Sequence, residues 1–246
     1  MGIKKTATNI VCGFIPDKKL RHRVRTRMSY DINKYIDFAR RDAGRPNARV
    51  RTCSGHGGMK KIIVVLDDEI GYKFPLVAAR ADTPRREKMF ADAFRDVSPV
   101  HIPEMEILQF NGMDVLKYGF SAGKTLADLD TETILRHEDK IAKQLGAFLF
   151  YIGCSDPESI RHLKPADAVP GMFYGWYHGD IGGNFVVNPD TGDITAFIDW
   201  ESASFCNMHP DLMSALKFLN KRGAGSLIMK TVFEYIRLYQ QANGTE

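Results

Sequence analysis

The segment from Trp176 to Glu201 constrains this chain more than any other. It begins Trp176-Tyr177-His178-Gly179-Asp180-Ile181-Gly182-Gly183-Asn184-Phe185-Val186-Val187. A turn rich in Asn, Pro, Asp and Gly follows, then the apolar run Ile194 to Ile198 and the sequence Asp199-Trp200-Glu201. Two short apolar runs separated by turn formers predict a β-hairpin at Phe185 to Ile198. Antiparallel pairing sets the ends of such strands side by side. Asp180 and Asn184, which precede the first strand, and Asp199, which follows the second, therefore gather at one end of the hairpin.

An aspartate, an amide and a second aspartate in that relation suit phosphoryl transfer. The reaction needs a carboxylate to orient the acceptor hydroxyl, oxygen ligands for a metal that neutralises phosphate charge, and cations that hold the nucleotide. The N-terminal half offers candidates for the last requirement. Lys73 lies on the strand-like run Gly71 to Leu76, and Glu87 lies on the helix that follows. Lys60 and Lys61 are alternatives to Lys73, whose alternation with Tyr72 and Phe74 also suits a solvent-facing strand. Ser54-Gly55-His56-Gly57-Gly58 can form a glycine turn over phosphates, although no Gly-Lys-Ser/Thr follows it and it is not a P-loop.

The residues around Asp180 and Asp199 resemble the aminoglycoside phosphotransferase family of the protein-kinase-like superfamily. The resemblance rests on His178-Gly179-Asp180, on Asn184, on Phe197-Ile198-Asp199-Trp200-Glu201 and on His209-Pro210-Asp211-Leu212. It implies an α+β, bilobal fold: a small β-sheet N-lobe with one main helix and a mostly helical C-lobe. It also implies ATP and Mg2+ as cofactors. Asp180 would orient the acceptor hydroxyl, Asp199 with Asn184 would hold the metal, and Asp211 would brace the His178-Gly179-Asp180 loop. Lys73 would contact the α and β phosphates and Glu87 would pair with it. Gly55, Gly57 and Gly58 would cover the phosphates. Val115 to Gly119 resembles the family's linker between lobes, so backbone groups near Lys117 and Gly119 would read adenine. Asn184 stands one position closer to Asp180 than the family pattern has its Asn, and Gly182-Gly183 can absorb the difference through unusual backbone angles.

The remaining elements frame these motifs. Apolar residues at Ile32, Tyr35, Ile36 and Ala39 have helical spacing, with Ser29 as N-cap and Gly44-Arg45-Pro46 as terminator. Strands are expected at Ala48 to Thr52, Lys61 to Leu66, Gly71 to Leu76, Glu106 to Phe110 and Asp114 to Tyr118, the last two joined by an Asn111-Gly112 turn. Thr83-Pro84 opens a helix whose apolar face is Met89, Phe90, Ala93, Phe94 and Val97. A long helix runs from Glu132 to Ile152, and further helices cover Asp211 to Lys221 and Leu227 to Gln241. The change from strands to helices places the domain boundary so that 1–117 form the extension and N-lobe and 118–246 the C-lobe.

With 246 residues, 44% hydrophobic and 26% charged, the chain can bury a core of either one large domain or two lobes. Its apolar runs fall short of the roughly 18 to 20 residues that span a bilayer. The N-terminus does not read as a secretory signal, and Gly2 with Thr6 fits the loose myristoylation pattern, the one route by which membrane association is expected. Four scattered cysteines form neither a zinc pattern nor a disulfide framework, and a reducing cytoplasm is the expected compartment. The basic run Lys18 to Arg27 reads as a solvated arm, with nucleic acid, an acidic partner or a membrane surface as alternatives. The acceptor is expected to be a hydroxyl-bearing small molecule, with a protein hydroxyl or a nucleotide-binding pseudokinase as the other readings. A pI near 8.8 has the wrong sign for concentrating polycations, so the family name does not name the substrate.

Overall fold

The computed structural model describes residues 16, 31–54, 60–77 and 80–244. The expected Ser29 cap, the basic run Lys18 to Arg27, the acylation site at Gly2 and the glycines Gly55, Gly57 and Gly58 lie outside the described residues. The chain divides into two compact units. One extends to Pro84 and takes in Glu106–Phe120; the other comprises Arg85–Met105 and Ser121 onward.

In the first unit, helix α1 (Ile32–Asp42) covers a five-stranded antiparallel sheet of order β1-β2-β3-β5-β4. The strands are β1 (Val50–Ser54), β2 (Lys61–Leu66), β3 (Ile70–Pro75), β4 (Met105–Phe110) and β5 (Met113–Gly119). The β2–β3 turn places Asp67 and Asp68 at φ 53° and 58°, and the β4–β5 turn places Asn111 and Gly112 at φ 51° and 74°. These left-handed pairs match the right-handed twist of the flanking strands. Tyr35 and Phe38 of α1 meet Phe74 and Phe110 of the sheet, with ring centroids 4.9–5.8 Å apart. Burial of these rings is the main force holding α1 on the sheet. The helix stops where Gly44, at φ 65°, turns the chain and donates to the carbonyl of Arg41.

The second unit begins with most of helix α2 (Thr83–Phe94), whose Phe90 and Phe94 pack on Trp176 and Trp200. The sequence gives α2 an apolar face but not its cover. The helix on the core of the sheet is α1.

The long helix expected over Glu132 to Ile152 is two, α3 (Thr131–Arg136) and α4 (Glu138–Gly153), broken at His137 with φ −110°. Asp130 caps α3 by accepting from the Thr133 N–H and hydroxyl at 2.7 and 2.9 Å. A Cβ on Gly192 would meet the His137 side chain at 2.5 Å, so the 188–193 turn seats against the break.

The hairpin β8 (Phe185–Val187) and β9 (Ile194–Phe197) forms as expected, with β6 (Lys124–Thr125) as a third strand. It is not the sole β-structure of this half. β7 (Tyr174–Tyr177) and β10 (Ser204–Asn207) form a separate ladder. Helices α5 (His209–Leu219) and α6 (Ser226–Asn243) complete the unit, α6 against α4. Among the described residues no helix is long and apolar enough to cross a membrane.

Candidate active site at the end of the β8–β9 hairpin

The hairpin register fixes the site. Phe185 pairs with Phe197, so the residues just outside the pair, Asn184 and Ile198, are joined by a 2.9 Å hydrogen bond from the Ile198 N–H to the Asn184 carbonyl. Asp199 follows directly. On the other side, the 3-10 turn Ile181–Gly183 carries the chain back to Asp180, whose carbonyl accepts from Asn184 Nδ2 at 2.7 Å. Asp180, Asn184 and Asp199 are thus tied to one end of the hairpin. The amide nitrogen of Asn184 closes the loop, and its Oδ1 is an acceptor that this bond does not use.

His178 links the two aspartate segments. Its ring is fully buried, 4.8 Å from the Trp200 ring, and Nε2 lies 2.9 Å from the carbonyl of Ile198. The Asp180 N–H points to Nδ1 at 3.4 Å. A carbonyl at Nε2 and a donor at Nδ1 suit a ring that carries a proton on Nε2 and accepts at Nδ1. Gly179 beside it adopts φ 84°, and a Cβ there would lie 2.4 Å from the Ser202 carbonyl. A side chain at this position is excluded on both counts.

The loop is held from below by α5. Asp211, fully buried, accepts the Ile181 N–H at 3.0 Å through Oδ1, and the N–H groups of Gly179 and His178 face the same carboxylate. Oδ2 has no hydrogen-bond partner among the described residues. Burial pushes this carboxyl up to about 7, against the pull of the three N–H groups, and the charge of Asp180 adds to the rise. Ser214 accepts the Gly182 N–H at 2.8 Å and donates to the Asp211 carbonyl at 3.0 Å. Neither Gly182 nor Gly183 has a positive φ. The short loop is absorbed by close approach rather than by unusual backbone angles: a Cβ on Gly182 would sit 2.2 Å from Ser214 backbone atoms.

Asp199 itself adopts φ 67°, ψ 53°, a conformation that costs energy for most residues and that Asp and Asn tolerate best. Its carboxylate belongs to a cluster with Glu87 and Glu201, the three ligand atoms lying within 4.8 Å of one another. Arg86 builds this cluster: its guanidinium donates to the carbonyls of Glu201 and Ala203 at 3.0 and 2.6 Å and so pins α2 to the turn after Asp199. Sequence reasoning assigned no role to Glu201 or Arg86. Glu201 stands in the quoted Asp199-Trp200-Glu201 run, and the 3-10 turn at Trp200–Ser202 is what returns it toward Asp199.

Lys73 occupies β3 and is 5% exposed, so the solvent-face reading of this lysine does not hold. Its neighbours Tyr72 and Phe74 enter the core with α1, which leaves Lys73 on the opposite face of the sheet. Lys60 is exposed and Lys61 half-buried. Lys117 lies within β5 opposite Tyr72, its ammonium 2.8 Å from Asp42 and 3.5 Å from Glu106. The Asp42 hydrogen bond raises its pKa. Gly119 ends β5 opposite Ile70, with open space where a Cβ would stand.

No protein-family model matches the sequence, and no curated protein matches it. Solved structures do. The chain is similar to the GDP complex of wild-type aminoglycoside 2'-phosphotransferase-IIIa, with 14% identity and TM-score 0.61, over 84% of this chain and 83% of that one. It is similar to the streptomycin–ATP ternary complex of APH(2'')-IIa, with 11% identity and TM-score 0.62, over 84% of each chain. Macrolide 2'-phosphotransferase type I matches with 13% identity and TM-score 0.53, over 85% of this chain and 83% of that one. The chain therefore has the α+β, kinase-like fold of the aminoglycoside and macrolide phosphotransferases.

Proposed function

We propose that this chain is an ATP- and Mg2+-dependent phosphotransferase acting on a hydroxyl of a small molecule. The observation that carries the reading is the convergence of Asp180, Asn184 and Asp199 on one end of the β8–β9 hairpin, in a fold whose solved examples include nucleotide complexes. In this reading Asp180 accepts a hydrogen bond from the acceptor hydroxyl and takes its proton as the oxygen bonds to the γ-phosphorus. The bond to the β-phosphate oxygen breaks and ADP leaves. Lys73 is assigned to the α and β phosphates, and the backbone around Lys117 and Gly119 to adenine.

The donor set suits a hard divalent cation. Asp199, Glu201 and Glu87 offer carboxylate oxygens within 4.8 Å, Asn184 offers an amide oxygen, and among the described residues no Cys or His joins the carboxylate group. Asp199 and Asn184 are assigned to hold Mg2+, whose contribution when bound is to neutralise phosphate charge. The Asp211 and Ser214 bonds keep the Asp180 loop in place while the acceptor is bound.

The test is thermal unfolding with and without Mg-ATP, joined to an ADP-release assay. Binding to the native state raises the melting temperature of the wild type. Asp199→Asn, which keeps the left-handed backbone affordable, abolishes that rise, whereas Asp180→Ala keeps it and loses transfer. No rise at millimolar nucleotide overturns the reading.

A further inference from the structure

An open cavity of about 740 Å³ lies beside Asp180, lined by Asp180, Met213, Ser214, Leu216, Lys217, Asn220 and Lys221. Apart from Asp180, the whole lining comes from α5 and the 3-10 turn Asn220–Arg222 that continues it. The volume is right for a small ligand, about 300 to 1,000 Å³ being usual.

Its charge is the informative property. Lys217 and Lys221 stand four apart on one face of this helical stretch, exposed, and neither has an ion-pair or side-chain hydrogen-bond partner among the described residues. Between Asp211 and Glu234 the sequence contains no carboxylate at all, whereas it contains Lys217, Lys221, Arg222 and Lys230. Arg222 is spent on the carbonyls of Leu126, Ala127 and Leu129, and Lys230 on Glu138 and Asp139. Ser214 is spent on Gly182 and Asp211. What remains to meet a ligand is one carboxylate, Asp180, two ammonium groups, the Asn220 amide and the apolar Met213 and Leu216.

A polycation gains nothing from such walls; an anion does. We infer that the acceptor is an anionic small molecule, carrying a carboxylate or a phosphate beside the hydroxyl that is phosphorylated. Lys217 and Lys221 hold the anionic group while Asp180 receives the hydroxyl. The inference rests on the phosphotransferase reading for the word acceptor, and on the cavity alone for the sign of the charge.

Calorimetric titration of the full chain with matched pairs tests it: glycerate against glycerol, glucose 6-phosphate against glucose, with kanamycin as the polycation. The expected result is that the anionic member of at least one pair binds about tenfold or more tighter than its neutral partner. Which pair shows the preference distinguishes carboxylate from phosphate. The double variant Lys217→Gln, Lys221→Gln, on exposed positions that do not threaten folding, removes the preference, and Lys217→Arg, Lys221→Arg retains it. Equal binding within every pair, tighter binding of kanamycin, or a preference that survives the glutamine variant overturns the inference. Melting with Mg-ATP on the same samples separates the two levels. A nucleotide shift without an anion preference sinks the substrate class alone, and absence of the shift sinks the phosphotransferase reading and the assignment of any bound anion as acceptor.

Discussion

The Asp211 carboxylate accepts the backbone N–H of Ile181 at 3.0 Å, from the first turn of α5 to the loop that carries Asp180. Burial raises this carboxyl from 3.8 to about 7, so the folded protein holds a proton that the unfolded chain has released between those values. A raised folded pKa contributes stability that is full below about pH 4 and is lost as the pH climbs through 7. Urea unfolding from pH 4.5 to 7.5 is expected to show the wild type losing stability relative to Asp211→Asn as the pH rises, with a slope no steeper than that of one proton. The asparagine keeps an oxygen for the Ile181 N–H and does not titrate. A difference that is flat with pH refutes the assignment.

Gly182 is held against α5 by contact, not by backbone sign. A methyl group there would lie 2.2 Å from the Ser214 carbonyl and 2.7 Å from the Ala215 nitrogen, all main-chain atoms of a helix that cannot step aside. Gly182→Ala is therefore expected to cost about 1–3 kcal/mol by overpacking and to lift the Asp180 loop off Asp211. Denaturant midpoints measure the cost. On the proposed phosphotransferase reading, transfer in the same variant should fall further than Mg-ATP binding, because the loop carries Asp180.

Arg222 fastens the segment after β6. Its guanidinium donates to the carbonyls of Leu126 and Leu129 at 2.7 and 2.9 Å and also to that of Ala127. A planar fork can serve several carbonyls at once, whereas an ammonium on a flexible stem cannot hold the same geometry. Arg222→Ala is expected to lose about 2–3 kcal/mol, with Arg222→Lys recovering less than half of it in the same unfolding assay.

Local chemistry made much of this architecture legible. Asn111-Gly112 announced its turn because both residues take left-handed angles, and the two apolar runs around 188–193 announced the hairpin that gathers Asp180, Asn184 and Asp199. Periodicity gave α2 an apolar face but could not say that Trp176 and Trp200 cover it, since a helix face carries no address. The break at His137 was hidden because its cause is remote: the ring seats against Gly192, far along the chain. The place of Glu201 is hidden for a similar reason. Its neighbours in the carboxylate cluster are Asp199, two residues back, and Glu87, which Arg86 brings in through main-chain carbonyls that no side-chain pattern reports. The short loop is absorbed by close packing at Gly182 rather than by φ, and a glycine's freedom at φ is visible in a sequence whereas its freedom from a neighbour is not.

Asp42, at the end of α1, serves two groups of the sheet. It accepts the Tyr72 hydroxyl at 2.7 Å and the Lys117 ammonium at 2.8 Å. Tyr72 has no solvent exposure, so its hydroxyl cannot turn to water when the carboxylate is removed. Asp42→Ala should therefore cost about 1–3 kcal/mol, chiefly the desolvation of an unmade hydrogen bond. Tyr72→Phe removes the need for the acceptor and should make the second substitution cheaper. A double-mutant cycle is expected to give a coupling of roughly 1 kcal/mol or more between Asp42 and Tyr72. Lys117→Met in the same cycle should couple more weakly and in a salt-dependent way, because that ammonium is partly exposed and its attraction is screened. Additive costs for Asp42 and Tyr72 would show that the hydroxyl finds another partner, and that α1 is held to the sheet by its aromatic contacts alone.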